Sequence, residues 1–449
     1  MDSLPNYLSR AVSNPKENRA PWYTNTAPSY AGVFLWIAFY QALGTDTIRQ
    51  AGVGLCLAAL IISALLCYQL YYFASSMLGQ QTGYPLYVIG SSTFGAKGGY
   101  AVPGLLMGFI QIGWFAVASF LSTDFILKGV GVNARPGSPL FIFTGVVWGY
   151  AMAYIGAKGI KYVGKVSLLL NSIPLVMLLV VFVQTAKGLS RYAPIPIEKN
   201  SYGAFTEVIA IVLGFFSTGG AAGADFGMNN RNARDVKWGG WVGISLAIVV
   251  SGGLAIMSVA GAHGLHPKLQ GYQYADVVQS IGGPIARGMF ILFALASIPA
   301  TCFCSLIVGN SFATMIPQVS RFSSTMVGAT IGIVLAVTGA AGNLIGFFGI
   351  VGASFGPICG AIAADFLLSG RRWAGPRVGI NWAGYGAWAV GFLVGALPSF
   401  PIPTTIRHFS EPAPLYSLVA SFVVYWVLAK AGVEPPRVTS FAKYDRVPS

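Results

Sequence analysis

Residues 214–226 read GFFSTGGAAGADF, inside an apolar segment that runs from Tyr202 to Gly227. Gly214, Gly219, Gly220 and Gly223 fall within ten positions, and a glycine in a helix interior costs roughly 0.5–1 kcal/mol relative to alanine. Ser217 and Thr218 place hydroxyls directly after the aromatic pair Phe215 and Phe216. Two readings follow. A helix that breaks here, halfway across a bilayer, frees N–H and C=O groups, which is tolerated only where they line a protein-enclosed cavity. Transporters place substrate sites at such broken helices. A continuous helix would instead use its glycines for close packing against neighbours.

The surroundings decide the class. Of 449 residues, 55% are hydrophobic and 9% charged, with a mean hydropathy of +0.67, whereas soluble domains carry about 25% charged residues. Apolar runs of near 20 residues are long enough to span a bilayer. Twelve spans are expected, at 29–48, 51–73, 100–126, 139–156, 163–185, 202–227, 239–262, 284–312, 323–339, 342–368, 382–398 and 415–431. The chain reads as an all-α polytopic membrane protein with the lipid bilayer as its first partner. Residues 1–20 are polar and carry no apolar core of the signal-peptide kind.

The basic residues orient the chain. With alternating loops, 18 of the 27 lie on the side that holds Arg19, Lys161, Lys165, Arg231, Arg234, Arg371, Arg377, Lys443 and Arg446. Nine, among them Arg49, Lys128, Arg191, Lys199 and Arg287, lie on the other, and the few within the stated bounds (Lys165, Arg287 and Lys430) sit at span ends. Cytoplasmic loops carry the Lys/Arg excess, so both termini are expected in the cytoplasm of a cell-membrane (inner or plasma membrane) protein. The net charge of +14 is thereby accounted for without nucleic acid. All five cysteines lie in spans and read as free thiols. His263, His266 and His408 have no metal-ligand spacing, so no cofactor or metal is expected beyond a coupling ion.

Span 1 (FLWIAFYQALGTDTI) resembles span 6 in being interrupted by small and polar residues, with Asp46 and Asp225 near the respective ends. The two are five spans apart. That spacing fits two inverted five-helix repeats with broken first helices, residues 29–186 and 202–368. Residues 1–28 then form an N-terminal segment, 382–431 hold spans 11 and 12, and 432–449 form a C-terminal tail.

Four stretches carry a family resemblance. They are RAPWYTNTAPSYAG at 19–32, FGAKGGY at 94–100 followed by GFIQIGWFAV at 108–117, GADFGMNNRNARD at 223–235, and GPICGAIAADFLLSGRR at 356–372. In this order they resemble the nucleobase–cation symporter family, in its purine/cytosine permease branch. The resemblance implies a leucine-transporter-like fold of twelve helices and a small nucleobase-like substrate. It also implies that a flat heterocycle is sandwiched between Trp114 of span 3 and Phe216 of span 6, whose π-faces suit a planar polar base. Gln111 lies one helical turn before Trp114 and its amide can donate and accept. Ser217, Thr218 and the Gly219 backbone would add polar contacts, and Gln41 would face the substrate. Trp114 and Gln111 also fit core packing and an interhelical hydrogen bond.

Span 8 departs from the family pattern. ALASIPATCFCS, residues 294–305, lacks the family's asparagine; Ser297 and Thr301 share a face, but Pro299 and Ala300 bring no hydroxyl. Ser297 thus stands for both substrate and sodium contacts. Thr301, the carbonyls of Ile37 and Tyr40, a break near Gly44, and a carbonyl freed by Pro299 would complete a partial sodium site. A proton is the alternative driver, with Glu207 as its membrane-embedded acid. Asp225 and Asp365 are expected to pair with Arg231 or Arg371. A different heterocycle, such as a hydantoin, allantoin or a vitamin-precursor pyrimidine, goes with the proton alternative. No nucleophile–base set points to an enzyme, and no continuous polar stripe points to a channel. Oligomeric state is left open.

Overall fold

The computed structural model describes residues 4–45, 47–159, 170, 172–195, 200–439 and 441. Asp46, Lys161, Lys165, Lys199, Lys443 and Arg446 lie outside them. Every expected span carries helix among the described residues. We number these α1 (Thr26–Leu35 and Ile37–Tyr40), α2 (Val53–Thr82), α3 (Gly98–Gly129), α4 (Pro139–Lys158), α5 (Ile173–Arg191) and α6 (Ser201–Ala221). The others are α7 (Ala233–Leu265), α8 (Gly283–Met315), α9 (Arg321–Val337), α10 (Leu344–Leu368), α11 (Trp382–Ala396) and α12 (Ala413–Lys430). Nine of the described helices are long and apolar enough to cross a membrane. The exceptions are α9, the 15-residue α11 and the interrupted α1. The chain is a multi-pass membrane protein.

Side chains fix where the helices begin. Asn200 accepts the N–H of Gly203, Ser320 that of Ser323, Asn343 that of Gly346 and Asn381 that of Ala383, each satisfying one of the donors a helix start leaves unpaired. Several of the helices outrun the bilayer. With 30 to 33 residues, α2, α3, α7 and α8 rise roughly 45–50 Å against a hydrocarbon core of about 30 Å.

Packing divides the bundle. One set is α3, α4, α8 and α9, each touching the others; a second joins α2, α6 and α7, with α1 seated on α7. Adding five to a helix number maps each set onto itself. Residues 29–186 and 202–368 would give this contact pattern if they were repeats of one another. Outside the two sets, α10 packs on α6 and α12, and α11 on α10 and α12.

The glycines of the run serve packing, and the helix also breaks inside the run, at Ala222 between Gly220 and Gly223. A Cβ on Gly220 would sit 2.5 Å from Tyr71 Cβ, one on Gly227 2.1 Å from the Ser76 carbonyl, and one on Gly214 2.6 Å from the Phe348 carbonyl. These glycines bring α6 against α2 and α10. The helix continues through Ala221, turns at Ala222, and resumes as Gly223–Gly227. Ser75 of α2 satisfies both sides of that break: its Oγ donates to the Ala221 carbonyl at 2.6 Å and accepts the Ala224 N–H at 3.1 Å. The α1 break likewise falls at Trp36, with ψ of 131°, rather than near Gly44. Gly44 instead admits the Tyr272 carbonyl, 2.8 Å from where a Cβ would stand.

A buried ionic cluster ties the end of the bundle that carries Arg19, Arg231 and Arg371. Asp365 of α10 accepts from Ser92 Oγ at 2.5 Å, Thr93 Oγ1 at 3.0 Å and Arg377 Nη1 at 3.1 Å. Arg377 Nη1 also donates to the Ser92 carbonyl, and its Nη2 reaches Glu434 at 2.7 Å. The Asp365 partner is therefore Arg377, not Arg371, because Arg377 lies in the connection that folds back under the short helix Leu86–Phe94. We refer to this as the basic end.

Candidate functional site

Between the two helix sets lies a cavity of about 750 Å³. It runs from the buried Trp36 and Trp114 to Asn25, Asn229 and Asn310 at the basic end, where it opens between half-buried and exposed lining residues. Its lining is mostly apolar, which suits a small ligand held by a few polar groups.

Trp114 is the hub of its walls. The indole Nε1 donates to Thr218 Oγ1 at 3.2 Å, which fixes the ring plane. Around it stand Trp36, Phe215, Phe347 and Phe348, with centroids at 5.8, 5.2, 4.9 and 5.7 Å. Phe216 has different neighbours, Tyr30 at 5.7 Å and Phe34 at 5.4 Å. Both Trp114 and Phe216 line the cavity.

The cavity brings together Gln111, Trp114, Phe216, Thr218 and Gly219 from the expected set. Gln111 makes only a long contact, 3.7 Å, from Nε2 to Met107 Sδ, so its amide is available to a ligand. The Gly219 carbonyl is already taken by Tyr30 Oη at 2.8 Å.

The other expected residues lie elsewhere. Ser217 is fully buried on the far side of α6, donating to the Leu213 carbonyl at 2.6 Å, because it is a helical step away from Thr218. Gln41 belongs to a closed contact at the end opposite the basic one. Its carbonyl accepts the Tyr274 N–H at 3.1 Å, its Oε1 the Ala275 N–H at 3.0 Å, and its Nε2 donates to Gln273 at 3.1 Å. Tyr40 stacks edge-on against Tyr274 at 5.0 Å. Together they fasten the second half of α1 to the short helix Tyr274–Ile281.

The residues expected to hold sodium make hydrogen bonds within their own helices. Ser297 Oγ donates to Phe293 O at 2.9 Å and Thr301 Oγ1 to Ser297 O at 2.8 Å. The Ile37 carbonyl accepts the Gln41 N–H at 2.8 Å. Carbonyls of Phe293, Ala294 and Leu295 all accept backbone N–H groups at the Ser297 turn, so Pro299 frees none of them. Glu207 stands near Cys56 of α2, away from the cavity lining.

Among the lining residues not singled out from the sequence as ligands are Trp36, Tyr30 and Asp225. Trp36 had a signal, an indole inside an interrupted span. Asp225 does not pair with Arg231, which bonds Asp235 at 3.1 Å; the carboxylate accepts the Leu86 N–H at 3.3 Å instead.

An all-helical bundle with interrupted helices around a central cavity open at one end defines a membrane transporter. Residues 14–410 match the family of permeases for cytosine/purines, uracil, thiamine and allantoin, and the chain belongs to that family. Among solved structures it is similar to Mhp1, a nucleobase-cation-symport-1 family transporter, in a closed conformation with bromovinylhydantoin bound. That match has a TM-score of 0.71 at 15% identity, covering 96% of this chain and 99% of the other. The inward-facing conformation of Mhp1 gives a TM-score of 0.70 at 16% identity over 97% and 98%. MhsT in complex with L-phenylalanine follows at 0.57 and 14% over 90% and 98%. No curated protein sequence matches. The fold is the one these transporters share, and the chain is a transporter rather than an enzyme.

Proposed function

We propose that this chain imports a nucleobase (cytosine or a purine), or a similar planar heterocycle, across the cell membrane by cation-coupled symport with alternating access. The observation that carries the reading is the cavity walled by Trp114, Trp36 and Phe216, with Thr218 and Gln111 at its polar edge. Flat aromatic faces suit a flat polar ring. The cavity opens at one end while Gln41 and Tyr274 close the other, as one half-cycle of alternating access requires. The bromovinylhydantoin bound in the closed conformation of Mhp1 supports the same chemistry.

The basic end is placed in the cytoplasm, with both termini. A cysteine introduced beside Arg191 is expected to react with an impermeant thiol reagent added outside intact cells, and one beside Arg234 is not. The reverse pattern would overturn the topology.

A second reading, coupling to a proton with a hydantoin, allantoin or vitamin-precursor pyrimidine as cargo, is favoured by one observation. Oxygens for sodium are few on α8: Pro299 and Ala300 bring no hydroxyl beside Ser297 and Thr301, and the carbonyls of Phe293, Ala294 and Leu295 already accept backbone N–H groups at the Ser297 turn. Uptake into proteoliposomes separates the two. Sodium coupling gives uptake under an imposed sodium gradient at matched pH, weakened in Thr301→Ala. Proton coupling gives sodium-independent uptake under a pH gradient, abolished in Glu207→Gln.

A further inference from the structure

Among the residues that line the cavity, one carries a formal charge, Asp225. No described Lys, Arg or His shares the lining, and no described cation forms an ion pair with this carboxylate. The nearby arginines are committed elsewhere. Arg231 bonds Asp235, and Arg19 donates to the carbonyls of Asn14 and Gln80 at 2.9 and 2.6 Å. Asp225 is held by a dipole rather than a charge: its Oδ1 accepts the N–H of Leu86, the first residue of the nine-residue helix Leu86–Phe94. The partly positive helix start favours the ionised form against the burial that opposes it, without cancelling its full charge.

A lone carboxylate in a mostly apolar cavity acts over a longer range than one in water. Its sign opposes that of the molecule as a whole. A chain of net charge +14 draws anions toward its basic surface, so discrimination against them has to occur inside the cavity. We propose that Asp225 is a charge filter that admits neutral and cationic heterocycles and turns away those bearing a carboxylate or another anionic group. This rests on the heterocycle reading above and adds to it the charge class of the substrate and the residue that sets it.

The test uses the full chain in lipid nanodiscs and matched pairs of neutral and anionic ligands: uracil with orotate, hypoxanthine with urate, and hydantoin with hydantoin-5-acetate. Binding is read by quenching of tryptophan fluorescence, since Trp36 and Trp114 line the cavity. The readout is the neutral-to-anionic affinity ratio for any pair whose neutral member binds. Asp225→Asn keeps an oxygen for the Leu86 N–H and is expected to shift the ratio about tenfold toward the anion. Asp225→Glu is expected to retain the wild-type ratio. A purely structural Asp225 would weaken both members of a pair equally; an unmoved ratio in Asp225→Asn overturns the filter. If no neutral member binds the wild-type protein, the heterocycle reading itself falls.

Discussion

Trp114→Ala is expected to weaken substrate binding by about 1–3 kcal/mol, the range measured for base–aromatic stacking, which is roughly 5- to 150-fold in affinity. The geometry gives two reasons for a loss of this size. Removing the indole deletes a ring set among Trp36, Phe215, Phe347 and Phe348. It also frees Thr218 Oγ1, which the Nε1–H holds at 3.2 Å. Trp114→Phe restores a π-face but not the donor, so partial recovery is expected. Equilibrium binding on protein of normal expression and elution profile checks this. Unchanged affinity in Trp114→Ala would remove Trp114 from the site.

Arg377→Ala is expected to destabilise the protein by about 3–5 kcal/mol, the cost of stripping one partner from a buried ion pair. Arg377 is 4% exposed and serves Asp365 at 3.1 Å and Glu434 at 2.7 Å. Truncation would leave Asp365 and Glu434 facing each other's charge across the vacated space. Tyr425 and Asn381 meet at the same point, Tyr425 Oη donating to Glu434 at 2.7 Å. Lysine carries the charge but not the planar fork, so Arg377→Lys should fall between the two. Thermal unfolding in detergent, followed by size-exclusion chromatography, measures the order wild type, lysine, alanine. Equal stability of the three would show that the cluster contributes nothing.

The spans were legible because a bilayer demands about 20 apolar residues and leaves few other solutions. Break positions were legible only in part: α6 breaks at Ala222, inside its glycine run, but α1 breaks at Trp36 rather than near Gly44. Glycine marks a helix that can unwind and equally one that must be approached closely, and Gly44, Gly220 and Gly227 are of the second kind. The α1 break sits at Trp36, in a stretch with neither glycine nor proline, and depends on tertiary contacts. Within the site, Gln111, Trp114, Phe216, Thr218 and Gly219 were named from motif and spacing and do line the cavity. Ser217 and Thr218 are chemically similar neighbours, and only the rotation of α6 decides which one faces inward. Gln41 was read toward the substrate and is engaged at the opposite closure because the helix Tyr274–Ile281 folds back onto α1. Asp225 has Arg231 nearby in sequence, but the turn after Gly227 carries that arginine to Asp235.

The central claim is active import of a planar heterocycle. Its most direct measurement is uptake of labelled cytosine, uracil, hypoxanthine, hydantoin and allantoin into proteoliposomes containing the purified chain, under an imposed cation gradient. The account predicts that at least one of them accumulates above its outside concentration, that this accumulation collapses with an ionophore for the coupling cation, and that Trp114→Ala greatly reduces it. Entry that stops at equilibration despite the imposed cation gradient, or failure of all five to enter, would contradict it.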